Sequence, residues 1–176
     1  VLLVVGKIDE EKTLKLIDKY FSPIPRPDRT KDPLFNTYTK EPTQDGERFV
    51  ELERVGDVQV VSCAYHTAPG AHTDFAAMQV LKDILTSEPS GRLYKSLVET
   101  KKASYQWGFA PGLREGSFLY LNAEVRKEKD LMDAKQTMMK TLDEMKDNPP
   151  TPEEVERAKA KILKNWELNF NNVNRI

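Results

Sequence analysis

The chain has few of the residues that build metal sites and disulfides. Its 176 residues include one cysteine and two histidines. A single cysteine cannot close an internal disulfide, and two histidines are fewer than the three protein ligands that a catalytic zinc ion commonly uses. His66 and His72 share no helix face at their spacing, and no glutamate lies between them. We therefore predict no metal site, with one histidine at a strand end and the other at a helix start.

Long apolar runs and net charge are also missing. The longest apolar run, residues 1–5, is far shorter than the ~20 residues that cross a bilayer. The 27 Lys and Arg nearly balance the 28 Asp and Glu, which leaves a formal charge of -1. The chain therefore has no overall field that attracts nucleic acid or anionic lipid. We predict no membrane span and no nucleic-acid partner.

No nucleophilic or phosphate-binding motif stands out. Cys63 lies in a β-rich run of small and apolar residues, so we interpret it as a small core side chain. A Gly-x-Ser-x-Gly elbow does not occur. The segment Pro89-Ser90-Gly91-Arg92 could form a phosphate nest at a helix N-terminus, but one glycine is weak support, and an ordinary helix start is favoured.

Basic and aromatic residues occur together in one short segment. Such a mixture could form a nucleic-acid platform on a sheet. The other predicted strands supply no second aromatic pair with basic neighbours, so we favour structural packing for this segment. Its residues are Lys101, Lys102, Tyr105 and Trp107.

Apolar periodicity predicts an α+β fold, a mostly antiparallel sheet with helices on one face. A long extended connection is expected over residues 26–47. The chain begins in a strand-like run without Met and ends in a helix-like run, as expected for one subdomain, residues 1–176, of a longer protein. Strands are predicted over residues 1–5, 49–54, 58–65, 104–110 and 117–125, and helices over residues 9–21, 74–85, 92–101, 131–145 and from 151 onward.

Several runs resemble the second, non-zinc-binding subdomain of the pitrilysin/insulinase-type zinc metallopeptidases. The resemblance covers nearly the whole chain. It is carried by Val4-Val5-Gly6-Lys7-Ile8-Asp9, Tyr65-His66-Thr67-Ala68, Asp74-Phe75-Ala76-Ala77, Val80-Leu81-Lys82-Asp83-Ile84-Leu85, Ser90-Gly91-Arg92-Leu93-Tyr94-Lys95-Ser96-Leu97-Val98-Glu99 and Thr151-Pro152-Glu153-Glu154-Val155-Glu156-Arg157-Ala158-Lys159.

The resemblance implies a scaffold and substrate-chamber subdomain of a zinc-dependent endopeptidase. In that family two subdomains form one half, and two halves close over an unfolded peptide. The zinc motif, His-x-x-Glu-His with a downstream Glu, lies in the other subdomain and does not occur here. Zinc would therefore be bound elsewhere in the parent protein, and this chain alone would cleave nothing. The expected partners are the catalytic subdomain, the second half and a peptide or unfolded polypeptide substrate.

An alternative of the same fold is a proteolytically inactive partner, or an interaction module like the core subunits of respiratory complexes. The resemblance also implies one candidate substrate contact. The family's inactive half grips substrate with an arginine and, seven residues later, a tyrosine; here Val98 and Tyr105 occupy those positions. Valine offers no hydrogen-bond donor, which suggests the zinc-bearing half. The segment Gly91-Arg92-Leu93-Tyr94 is similar to the corresponding segment of long bacterial members of the family. These members are often periplasmic, so we expect a periplasmic location.

Overall fold

The computed structural model describes residues 2–26 and 43–170 and divides into two compact units, Val1–Leu52 and Glu53–Ile176. A single subdomain over residues 1–176 stays a prediction. The connection expected over residues 26–47 falls mostly on residues 27–42, which lie outside the described residues.

The described residues of the first unit contain one helix, α1 (Glu10–Phe21). Its start is set by Asp9, whose carboxylate accepts a hydrogen bond from the Lys12 backbone N–H at 3.0 Å, as an N-cap aspartate does. The helix ends at Phe21, and its C-cap residue Ser22 directly precedes Pro23. The predicted helix is therefore confirmed. None of its residues, all of which are described, is buried.

Two predicted strands are wrong. The described residues 2–5 form no strand, although they are apolar, and their side chains are 43–78% exposed. Residues 49–54 form no strand either, and Phe49, Val50 and Leu52 are exposed. β-propensity favours an extended backbone, but a strand needs a hydrogen-bonded neighbour, and these described residues pair with none.

The second unit contains a three-stranded antiparallel sheet. Its strands are β1 (Val58–Thr67), β2 (Tyr105–Phe109) and β3 (Ser117–Arg126), in the spatial order β1-β3-β2. Asn122 of the central strand lies opposite both Ser62 and Trp107, which fixes the register of the sheet. The strands predicted over residues 104–110 and 117–125 are thereby confirmed, and they pair antiparallel with each other.

Four helical segments belong to the same unit. Two α-helices, α2 (Phe75–Thr86) and α3 (Leu131–Asp143), pack with a π-helix (Tyr94–Glu99) against the sheet, and α4 (Pro152–Phe170) packs on α2. A capping box starts α4, because Thr151 Oγ1 accepts from the Glu154 N–H at 3.2 Å and the Glu154 carboxylate accepts from the Thr151 N–H at 2.9 Å. Of the described helices, none has both the length and the apolar character needed to cross a bilayer.

The core lies between the helices and one face of the sheet. Alternate residues of β3, from Leu119 to Val125, point into it. They meet side chains of α2, α3 and the π-helix, chiefly Leu85, Met138 and Leu97. The α+β fold with helices on one face of an antiparallel sheet is confirmed. Residues 92–101 were predicted as an ordinary helix but wind mostly as a π-helix, a difference that the spacing of apolar residues does not resolve.

Candidate functional site

The sheet face that points away from the core carries a row of aromatic side chains. Strand β2 alternates, so that Gln106 turns inward while its odd-numbered neighbours turn outward. Outward-facing residues of β3 join them. We call this surface the aromatic face, and it consists of Tyr105, Trp107, Phe109, Phe118 and Tyr120.

The rings of the aromatic face contact one another across the two strands. Trp107 and Tyr120 have ring centroids 5.3 Å apart, and Phe109 and Phe118 meet edge to face at 6.2 Å. Such diagonal pairs stabilise a sheet. Trp107 nevertheless remains 37% exposed and Phe109 51% exposed. The pairs therefore order the rings without burying them.

Hydrogen bonds between strands hold the Tyr120 ring in place. Its hydroxyl donates to Ser62 Oγ at 2.8 Å, and the Ser62 hydroxyl donates to Asn122 Oδ1 at 2.7 Å. All three residues lie on the outward face, because Ser62 and Asn122 are directly opposite in the ladder. The aromatic face is consequently a preorganised surface with a polar strip along the β1 side.

Tyr105, the candidate substrate contact, lies at the first position of β2 and is 47% exposed. It is part of the aromatic face. Val98 lies in the preceding π-helix and lines a separate concavity together with Lys101 and Ser104. The structure thus gives Tyr105 an accessible position, while its role in substrate contact stays a prediction.

The concavity beside Val98 is strongly basic. It has a volume of about 430 Å³. Among the described residues that line it, none is acidic. We call it the basic pocket, and its lining consists of Val98, Lys101, Lys102, Ala103, Ser104, Arg126 and Lys129.

Arg92, which the sequence placed in a possible phosphate nest, is engaged within the protein. Its guanidinium contacts the Glu154 carboxylate and donates to the Asn148 carbonyl at 2.6 Å. The hydrogen bond from Arg92 holds the pKa of Glu154 down at about 2. A Cβ on Gly91 would lie 2.7 Å from the Leu85 carbonyl oxygen. Glycine here permits close backbone packing, which agrees with an ordinary helix start.

The two histidines lie where the sequence placed them. His66 lies near the end of β1, and His72 lies in the turn before α2. The His72 ring accepts a hydrogen bond from the Asp74 N–H through Nδ1 at 3.2 Å. Within the described residues, no group of three His, Cys, Asp or Glu side chains is arranged to hold a metal ion. The described part of the chain does not fit a zinc ion.

Cys63 turns toward the helices and packs against the core. Its sulfur lies 3.8 Å from the Met138 sulfur, and burial raises the pKa of the thiol to about 11. A thiol with such a pKa is almost wholly protonated at neutral pH, so it is a poor nucleophile. This agrees with the interpretation as a core side chain.

Sequence reasoning noted the basic and aromatic residues of one segment but favoured packing for them, so it did not predict the aromatic face or the basic pocket. The alternation of Tyr105, Trp107 and Phe109 along β2 was a usable signal, since the strand itself was predicted. Trp107 was instead assigned to packing. Arg126 ends β3, Lys129 follows it, and neither carries a local signal; only the fold brings them beside Lys101.

Comparisons with known proteins agree on one family. Residues 1–162 match the family described as the peptidase M16 inactive domain. The chain is 26% identical over 166 residues to the zinc protease PqqE of Helicobacter pylori, which covers 90% of this chain and 36% of that protein. The chain therefore spans about a third of the length of this curated relative.

Solved structures give the same result. The inactive peptidase domain of a protein from Bordetella parapertussis is 34% identical, with a TM-score of 0.62, over 72% of this chain and 69% of that chain. A protease from Helicobacter pylori has a TM-score of 0.82 at 23% identity, over 97% of this chain and 41% of that chain. The second likeness concerns the fold alone.

Proposed function

The chain belongs to the peptidase M16 family, whose inactive domain it matches, and on this premise we propose that it forms a non-catalytic wall of the substrate chamber of a zinc-dependent endopeptidase. The observation that carries the proposal is the aromatic face. Zinc and the residues that activate water would belong to another part of the longer protein, because the described residues here do not fit the metal. The substrate would be a peptide or an unfolded polypeptide.

The aromatic face has the chemistry that an unfolded polypeptide requires. Planar rings offer apolar contact to many kinds of side chain, so they bind without strict sequence selection. A contiguous exposed apolar patch on a folded protein marks an interaction surface more often than isolated apolar residues do. Because Trp107 and Tyr120 are ordered before any ligand arrives, little side-chain entropy is lost on binding.

Exposed apolar side chains in the first unit support a contact with the catalytic subdomain. Leu14, Leu16, Tyr20 and Phe21 of α1 are 44–63% exposed. Residues 2–5 add four more exposed apolar side chains. Leu14 and Phe21, seven residues apart, share one face of the helix, and an amphipathic helix normally buries such a face against another element. We propose that the catalytic subdomain of the longer protein covers these side chains.

A second candidate is a proteolytically inactive partner subunit or interaction module. It is favoured by the end of α4, where Leu163, Trp166 and Phe170 are 64–66% exposed. The two candidates differ in the longer protein. A His-x-x-Glu-His motif and stoichiometric bound zinc there support the peptidase, and their absence supports the interaction module.

The substrate role can be tested by peptide binding to this chain. We expect a fluorescein-labelled unfolded polypeptide to bind the wild type, and Trp107→Ala to weaken binding by about tenfold, as loss of a central aromatic contact does. Trp166→Ala is the matched control, since it removes an equally large exposed ring from α4. Equal affinity of wild type and Trp107→Ala would argue against the aromatic face as the binding surface.

We further propose a periplasmic location, supported by the likeness to long bacterial members of the family. Fractionation of cells that produce the longer protein tests it. Recovery with periplasmic markers is expected, and recovery with cytoplasmic markers would contradict it.

A further inference from the structure

The basic pocket lies at one end of the aromatic face, and we propose that it binds a carboxylate of the peptide that lies on that face. The inference rests on the proposed function and adds a preference to it: peptides with a carboxylate at the matching position bind more tightly. The carboxylate could belong to an acidic side chain or to the C-terminus of the peptide, since both present the same pair of oxygens.

The charge of the pocket is only partly neutralised from within. Lys102 Nζ lies 2.7 Å from Asp133 Oδ1, so this one lysine is paired. Within the described residues, Lys101, Arg126 and Lys129 have no ion pair. Three cations around one concavity repel one another, and an incoming anion relieves that repulsion.

Acidic residues near the pocket do not fill it. Glu124 lies opposite Tyr105 on the outward face, two residues before Arg126, but it does not line the pocket. Glu128 lies next to Lys129 in sequence and is exposed. Neither carboxylate forms an ion pair with a pocket cation in the described part of the chain. The positive charge is therefore available to a ligand.

The pocket and the aromatic face form one continuous route for an extended peptide. Ser104, which lines the pocket, directly precedes Tyr105, and Arg126 ends the strand that carries Tyr120. Because Val125 is fully buried, alternation turns Arg126 outward, toward the aromatic face. The strand β2 has 5 residues, and from its first to its last it spans ~13 Å. A peptide of similar length could contact both Phe109 and the pocket.

The backbone around the pocket is held independently of the cationic side chains. Lys101 has a φ of 61°, the only positive φ of a non-glycine residue in the described chain, and its N–H bonds to the Val98 carbonyl at 2.9 Å. The Gln59 side-chain amide donates to the carbonyls of Arg126 and Lys129 at 3.1 and 2.9 Å. Side-chain substitutions at Arg126 and Lys129 should therefore leave the loop intact.

The test compares peptides that share one apolar sequence and differ only at one end. The first ends in Gln and is amidated, the second ends in Glu and is amidated, and the third ends in Gln with a free carboxylate. We expect the second or the third to bind the wild type about fivefold more tightly than the first, the gain from one or two exposed ion pairs. The peptide whose affinity is higher than that of the first shows whether the carboxylate comes from an acidic side chain or from the C-terminus.

The preference should depend on the pocket cations. The double variant Arg126→Gln/Lys129→Gln should bind all three peptides equally, and raised salt should also reduce the preference. The control Lys95→Gln/Lys164→Gln removes two other exposed cations and should keep the preference for the carboxylate peptide. A preference that survives in the first variant, or is lost in the control, overturns the inference. Displacement of the carboxylate peptide by an equal concentration of inorganic phosphate would also overturn it, because the pocket would then be a general anion site.

One further measurement separates this inference from the proposed function. An acidic tripeptide without apolar residues is titrated while the backbone amide resonances of Ala103 and Ser104 are followed. Saturable shifts of these resonances, with no binding of the long peptides, would support the pocket and contradict the proposed function. Equal binding of all long peptides, without tripeptide shifts, would contradict the pocket and leave the aromatic face supported.

Discussion

Arg92 and Glu154 form a two-point ion pair. Nη2 of Arg92 lies 2.6 Å from Oε2 of Glu154, and Nε lies 2.9 Å from Oε1. Both side chains are less than one-fifth exposed. Since Glu154 also caps α4 through the Thr151 N–H, one carboxylate joins the segment before the π-helix to the start of α4.

We predict that Glu154→Gln lowers the stability of the fold at neutral pH. The hydrogen bond from Arg92 lowers the pKa of Glu154 from 4.5 to about 2 on folding, and because solvent screens part of this interaction, we expect a loss of about 1–2 kcal/mol. A carboxylate whose pKa is lower in the folded than in the unfolded chain stabilises the fold at pH values above the unfolded pKa. That stability is lost as the pH falls through the folded pKa. The free energy of unfolding in urea should therefore differ most between wild type and variant above pH 4.5, and the difference should vanish near pH 2.

Glu156→Gln is the matched control for that series. Glu156 lies on the same helix and contacts Lys159 at 2.8 Å, but both side chains are more than half exposed. An exposed ion pair contributes little to stability. The free energy of unfolding of this variant should therefore equal that of the wild type at every pH. A loss equal to that of Glu154→Gln would show that general charge on α4, rather than the Arg92 contact, produces the effect.

Gly91→Ala should destabilise the second unit. A Cβ at this position would lie 2.7 Å from backbone atoms of Leu85 and Ser87, and backbone cannot move aside as a flexible side chain can. We expect a loss of about 2 kcal/mol in thermal or urea unfolding. Gly116→Ala is the control, because a Cβ there meets no atom within 4 Å. A Gly91→Ala protein as stable as Gly116→Ala would refute the close packing of this turn.

The Cys63 thiol should react slowly with iodoacetamide in the folded chain. Burial raises its pKa from 9.0 to about 11, which lowers the thiolate fraction roughly 100-fold near neutral pH. The labelling rate at pH 8, followed by mass spectrometry, should rise steeply in urea. A folded-state rate equal to that in urea would contradict the half-buried position of Cys63 beside Met138.

The sequence predicted those elements whose signals are local. Asp9 and Thr151 mark helix starts through their own side chains, and β3 buries its alternate apolar residues. In β2 the polar Gln106 turns inward and the aromatic residues turn outward, so the apolar pattern predicts the strand but not its facing. Residues 2–5 and 49–54 show the limit of such reasoning, since a strand depends on a neighbour that composition does not reveal. The basic pocket illustrates the same limit, because Lys101 and Arg126 are joined only by the folded sheet.

The substrate proposal is tested most directly by the two tryptophans of the chain. Trp166→Phe leaves Trp107 as the only indole, and Trp107→Phe leaves Trp166. A tryptophan-free unfolded polypeptide is titrated into each variant while indole emission is recorded. We predict a saturable shift to shorter wavelength for Trp107, as its ring is covered, and an unchanged spectrum for Trp166. A Trp107 emission that stays constant while the polypeptide binds would contradict the account.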